Sequence, residues 1–194
     1  MRVLVLYAHP VETSFQGALH RAVVAALTAA GHSVDDCDLY AENFDPALSR
    51  QERLDYHDTS INQRAVEDYV RRVKQAEAMV LVFPVWNFGY PAILKGFFDR
   101  VFLPGVSFDL TSDGNVIGLL THIRKLAAVT TYGGTRFRAI LAGDPPRKAV
   151  KRVLWGQTSP RTKVTYLAYY DMNRSTDASR AKFLTRTTKI MSDF

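Results

Sequence analysis

Apolar positions along the chain follow two alternating rhythms. Arg2–Tyr7 is a continuous apolar run, the pattern of a strand buried on both faces, and Ala78–Phe83 is the most apolar run of that kind. Ser33–Leu39, Lys125–Thr131 and Val164–Tyr169 read as three further strands. Between them the period changes. Phe15, Ala18, Leu19, Ala22, Val23, Ala26 and Leu27 share one helical face, with Thr13 and Ser14 as cap candidates before it and Gly31 at its end. Residues 41–61 are polar, a loop with a short helix near Ser49–Leu54. Asn62–Gln75 predicts a polar helix presenting Val66, Tyr69, Val70 and Val73, and Pro91 stands as the first residue of a helix reaching about Phe102. Pro145–Trp155 is a basic helix, and Asp177–Met191 the last one.

Five strands separated by helices predict an α/β architecture, an open parallel sheet covered on both faces. No repeat or linker interrupts the pattern, so residues 1–194 are expected to form a single domain. Ligands of such sheets bind beyond the carboxyl ends of the strands. The loops after Tyr7, Phe83 and Thr131 therefore carry the interest.

Composition narrows the class. With 47% hydrophobic and 23% charged residues, the 194-residue chain is that of a soluble globular protein. The apolar start VLVLYA is too short for a signal peptide, and no run approaches a membrane span. Cys37 is the only cysteine, and the histidines at 9, 20, 32, 57 and 122 lack ligand spacing, so neither a disulfide nor a metal site is expected. A cytoplasmic location is the expectation. The net charge of +6 is uneven: residues 1–100 carry 10 basic and 13 acidic groups, residues 101–194 carry 15 and 6. A basic half suits a phosphorylated cofactor or simply a solvated surface; no nucleic-acid motif accompanies it.

The loop AHPVETSF, residues 8–15, lacks a G-x-G-x-x-G, which disfavours a standard nicotinamide-binding domain. Its hydroxyls at Thr13 and Ser14, the free N–H groups of a helix start and His9 suit a phosphate; a capped helix with a structural histidine reads equally well. PVWNFGYP, residues 84–91, crowds Trp86, Phe88 and Tyr90 into a loop where polar turn residues are the rule. Either these rings pack beneath the loop or at a subunit contact, as expected of Tyr90, or they lie against a flat apolar ligand. Gly89 permits a tight backbone there. TTYGGT, residues 130–135, is a plain tight turn or a close backbone approach to a ligand, with N–H groups and the Thr130 and Thr131 hydroxyls turned to a ring edge.

The motifs AHP-x-x-x-SF-x-x-AL at 8–19, DLYAENFDPALSR at 38–50, FP-x-x-x-F-x-x-PAILKGFFDRVF at 83–102 and the Thr-Tyr-Gly-Gly turn resemble the flavodoxin-like NAD(P)H dehydrogenase (quinone) family. The resemblance covers roughly residues 1–135 and the remainder more loosely. It implies a flavodoxin-like three-layer α/β/α sandwich with strand order 2-1-3-4-5, a homodimer, and bound FAD or FMN. It also implies NAD(P)H as electron donor and a quinone or similar small acceptor served in turn by one pocket. Carried over by position, His9, Phe15 and Gln16 fall on the cofactor's phosphate side, with Thr13 and Ser14 beside them. Pro84, Val85, Trp86, Asn87 and Phe88 match the loop along the ring, and Thr131, Tyr132, Gly133 and Gly134 the turn at its pyrimidine end. Phe108, Asp109 and Leu110 align with residues that reach the partner subunit's active site. The family's Tyr and His beyond the Gly-Gly turn have no match, because Thr135-Arg136-Phe137-Arg138 follows and no histidine comes after His122. Tyr132 or Arg136 is expected to stand in, stabilising charge on the reduced ring. The alternatives are a flavin-binding ancillary subunit of the potassium-efflux type and a flavodoxin-like electron carrier. The carrier fits less well, since such carriers are short and acidic.

Overall fold

The computed structural model describes residues 1–194. Its central sheet has five parallel strands in the order β2-β1-β3-β6-β7. They are β1 (Arg2–Tyr7), β2 (Ser33–Asp38), β3 (Ala78–Val85), β6 (Lys125–Tyr132) and β7 (Lys163–Tyr169). Counting only these five, the order is the expected 2-1-3-4-5. Two short strands, β4 (Phe108–Leu110) and β5 (Val116–Gly118), form a separate antiparallel hairpin.

Strand alternation sorts the core into two layers. Leu4 and Leu6 of β1 and Met79, Leu81 and Phe83 of β3 face α3 (Glu67–Gln75) and α4 (Ala92–Val101). Val3, Val5, Val80 and Val82 face the other way, onto α1 (Phe15–Ala29) and α7 (Asp177–Ser192). Register places Phe83, Pro84 and Val85 beside Thr130, Thr131 and Tyr132, so the two loops singled out in the sequence leave the sheet side by side.

Local chemistry sets the ends. Ser14 caps α1 by accepting from Gly17 N at 3.0 Å, and Gly31, at φ +80°, closes it. The N–H groups of Gly31 and His32 donate to Thr28 O and Leu27 O, a Schellman closure. The short helix α2 (Arg50–Asp55) carries a full capping box from Ser49 and Glu52. Arg100 of α4 pairs with Glu52 at 2.7 Å, both nearly buried, and pins the 45–52 segment to α4. There Gly96 lies against Pro46; a methyl at Gly96 would sit 2.5 Å from Pro46 Cα.

Several elements depart from expectation. Pro91 is the N-cap of α4, with ψ 145°, and Ala92 is its first residue. The polar helix begins at Glu67, after a 3-10 turn over Arg64–Val66. Asn62 is withdrawn from it because its buried amide donates to Tyr56 O and Pro104 O, each at 3.0 Å. A helix α5 (Arg136–Leu141) follows the Gly-Gly turn, where hydrophobic periodicity is too short to show it. The basic helix is real but composite: α6 (Pro145–Lys148) continues as a π-helical segment over Ala149–Leu154. No helix is long and apolar enough to cross a membrane.

Candidate functional site

The three loops meet in one trough at the carboxyl edge of the sheet. One half, about 270 Å³, is lined by His9, Ser14, Phe15, Gln16, Trp86 and Thr131 among others. The other, about 240 Å³, is lined by Asn87, Phe88, Tyr132, Gly134, Thr135 and Arg138 among others. Val85, Gly133 and Asn173 belong to both halves, so the two are one continuous surface.

At the first end stands the N-terminus of α1, where free backbone N–H groups favour negative charge. The N–H groups of Phe15 and Gln16 find no partner in the chain. His9 Nδ1 is turned inward, accepting from Val11 N at 3.0 Å and lying 3.1 Å from both Val11 O and the Ser14 hydroxyl, so Nε2 is the ring nitrogen with no partner in the chain. Burial lowers the His9 pKa from its ordinary value, against a smaller opposing backbone contact with Val11, which favours the neutral ring. Ser14 is not available to a ligand: its hydroxyl donates to Val11 O at 2.7 Å and accepts from Gly17 N. Thr13 is exposed and does not line the trough. The Gln16 side chain is tied to β6, with Nε2 donating to Val129 O at 3.1 Å and Oε1 accepting from Thr131 Oγ1 at 3.0 Å. Its backbone N–H, not its amide group, is the part left free.

The aromatic wall rests on a two-residue reversal. Trp86 and Gly89 exchange backbone hydrogen bonds of 3.2 and 2.8 Å, and between them Asn87 and Phe88 adopt φ 48° and φ 56°. Positive φ at both central positions is the type I′ arrangement. Gly89 is therefore not the residue that makes the turn tight. A phenylalanine in left-handed backbone is strained, and this turn leaves its ring exposed at the trough's edge. Phe88→Gly is expected to raise stability by about 1 kcal/mol by releasing this strain, while weakening retention of a planar ligand. Parallel melting and ligand-titration curves check both signs. Trp86 is likewise exposed, its ring 5.7 Å from that of His9. Tyr90 packs inward against Phe83 and Phe98, at 5.0 and 5.4 Å between ring centres.

The floor is the Gly133-Gly134 turn. Loop residues after β7 grip its carbonyls: Asp171 N donates to Gly134 O at 2.8 Å and Asn173 N to Gly133 O at 3.4 Å. The two glycine N–H groups have no partner in the chain and remain as donors. Thr130 is fully buried beneath the floor, its hydroxyl unpartnered, and takes no part in the lining.

Tyr132 lies in the wall, but its hydroxyl is committed inward. It donates to Asp144 Oδ1 at 2.6 Å and lies 2.7 Å from the Tyr166 hydroxyl. Burial, together with Tyr166 and Asp144, pushes its pKa far up, so the phenol keeps its proton. Arg136 is exposed and outside the lining; Arg138, two residues on, is the guanidinium that lines the trough. Phe108, Asp109 and Leu110 sit on the β4–β5 hairpin and do not line this chain's trough. Met172 and Asn173, which do, follow the fifth sheet strand and carry no motif that marks them in sequence.

A family model described as flavodoxin-like fold matches residues 1–183, and the chain belongs to that family. It is 37% identical over 151 residues to the ribosyldihydronicotinamide dehydrogenase [quinone] of Pongo abelii, covering 69% of this chain and 64% of that protein. It is 35% identical over 149 residues to NAD(P)H dehydrogenase [quinone] 1 of Cavia porcellus, covering 68% and 54% respectively. The chain thus spans less than two thirds of the length of these curated relatives. Among solved structures, the NAD(P)H:quinone oxidoreductase from Methanothermobacter marburgensis superposes with a TM-score of 0.81 at 27% identity, covering 100% of this chain and 98% of that one.

Proposed function

We propose that the chain is a flavin-dependent NAD(P)H oxidoreductase acting on a quinone or similar small acceptor. The observation that carries this reading is the trough itself. Unpartnered backbone donors stand at its phosphate end and along its floor, with bare glycines between and exposed aromatics above. FMN or the equivalent part of FAD fits that donor set. The relatives named above, reductases of quinones by name, point the same way.

Phe15 N, Gln16 N and His9 Nε2 would bind the phosphate, and Gly133 N and Gly134 N would hydrogen-bond the polar edge of the ring. When bound, a flavin accepts hydride from a reduced nicotinamide and returns it to the acceptor. The chain's part is positional and electrostatic. Trp86 and Phe88 exclude water from one side and offer a flat surface to a second planar molecule. Arg138, in place of the expected Arg136, supplies positive charge near the turn, where negative charge gathers on reduction. Tyr132 acts from behind by fixing the end of β6 on which the turn is built.

We further propose a cytoplasmic, single-domain subunit that works as a homodimer. Both core layers share one sheet, and the lone thiol of Cys37 is buried and free. Leu110, Val116 and Ile117 are exposed on the hairpin, and Leu54, Val153 and Trp155 are exposed elsewhere. An apolar cleft of about 600 Å³, bordered by Tyr56, Phe98, Phe102 and Val153, lies on that second surface. Apolar surface of this extent suits a second copy, whose hairpin would bring Phe108, Asp109 and Leu110 to the neighbouring trough.

One preparation tests the reading. Purified protein is expected to be yellow, to bleach anaerobically with NADPH and regain colour with benzoquinone, and to sediment at twice 21.8 kDa. Initial rates should give the parallel lines of ping-pong kinetics. Colourless protein that binds neither added FMN nor FAD would end the flavin assignment, and a monomeric mass would end the dimer.

A further inference from the structure

A second cleft, about 510 Å³, opens by the end of α5, bordered by Ile140, Gly143, Asp144 and the α6 helix with its π continuation. We propose that it recognises a phosphomonoester, the 2′-phosphate that distinguishes NADPH from NADH. The proposal rests on the oxidoreductase reading for its donor and on the following geometry for its site.

Four cations line the cleft: Arg147, Lys148, Lys151 and Arg152. Arg147 is already used. It pairs with Asp144 at 3.2 Å and lies over the Tyr166 ring at 4.5 Å. The Asp144 carboxylate, the only acidic group in the lining, is thereby neutralised, and it also accepts from Tyr132. Lys148, Lys151 and Arg152 are exposed and make no ion pair. The cleft is thus three charges positive, with no counter-charge inside the chain. This differs from the cations at Arg72 and Arg100, which are folded onto carboxylates.

The backbone shapes the opening as well. Gly143 and Asp144 follow one another in left-handed conformation, at φ +82° and +45°, which turns the chain sharply from α5 into the basic helix. The Lys148 ammonium lies beside this turn, at ordinary contact distance, 3.6 Å, from where a Cβ at Gly143 would stand. The run Ala149–Leu154 is π-helical, a winding that recurs at functional sites.

Placement relative to the trough selects the ligand. Thr135 and Arg138 border the trough, and Ile140 and Gly143 border the cleft. Both therefore open along α5, whose six residues span about 9 Å. An extended dinucleotide is longer than that. With its nicotinamide over the aromatic wall, its adenosine end can run along α5 towards the three free cations. A doubly charged phosphomonoester meets them with charge-assisted hydrogen bonds, and the hydroxyl of NADH does not.

The test uses full-length protein titrated calorimetrically with 2′,5′-ADP and with 5′-AMP, the same fragment bearing a 2′-hydroxyl, which needs neither flavin nor turnover. The expected result is about tenfold tighter binding of 2′,5′-ADP at moderate salt, lost in the triple variant K148A/K151A/R152A. All three side chains are exposed, so the variant should fold, which its melting curve verifies. In turnover, the NADPH-to-NADH ratio of kcat/KM should fall about tenfold in the variant, through the KM for NADPH. Equal affinity of the two fragments for the unaltered protein would overturn the proposal. So would discrimination that survives the triple variant. Fragment discrimination in a protein that oxidises neither nucleotide would uphold the phosphate site and sink the oxidoreductase reading instead.

Discussion

Gly133→Val is expected to cost about a hundredfold or more in FMN affinity, about 2.7 kcal/mol, while leaving the fold standing. Gly133 does not have positive φ, so its backbone tolerates a side chain. A Cβ there would meet only the Asn173 side chain, at 3.4–3.8 Å, an ordinary contact. The turn therefore loses nothing by gaining a β-carbon. The trough does, because Gly133 is one of three residues common to both of its halves, and the valine methyls would occupy the floor. Cofactor titration beside a thermal melt separates the outcomes. Unchanged affinity at unchanged Tm would remove the ring from the Gly-Gly floor; a collapsed Tm would mean the turn itself cannot bear the substitution.

Gly96→Ala carries the largest expected effect on stability. The new methyl falls within van der Waals overlap of the Pro46 backbone, where no flexible side chain can move aside. The segment cannot retreat easily either. Phe44, just before it, is buried against Tyr69 and Phe97, and Arg100 bridges to Glu52 just beyond. Overpacking against backbone costs about 3 kcal/mol, which for a chain of this size lowers Tm by about 6–12 °C. A melt within a degree of the parent would show that the 45–52 segment is looser than its contacts suggest.

The sheet was legible because buried parallel strands write themselves as unbroken apolar runs, and Ala78–Val85 is buried at every position but the last. The hairpin and α5 were not, for a shared physical reason. Their apolar residues, Leu110, Val116, Ile117, Phe137, Ile140 and Leu141, point outward, so inside-outside periodicity carries no information about them. The site was legible as loops and only partly as atoms. His9, Phe15, Trp86, Phe88 and Gly133 do line one trough. Which atoms face it depended on hydrogen bonds that no pattern reveals: Ser14, Gln16 and Tyr132 spend their side chains on caps and strands. Arg138 rather than Arg136 lines the trough because α5 starts at Arg136, and helical rotation decides which guanidinium turns to it. Met172 and Asn173 enter through tertiary closure of the last loop on the turn.

That closure has a consequence for how the molecule matures. The grip of Asp171 and Asn173 on the Gly-Gly carbonyls joins the far end of the chain to a trough that begins at His9. Non-local contacts of this kind form late, after the loops that separate them have been closed. A nascent or truncated chain ending before β7 would hold most of the sheet and yet lack a finished pocket. On the flavin reading, a chain cut short of residue 173 is therefore expected to stay pale however well its first half is folded, whereas one that has closed this last loop takes on colour.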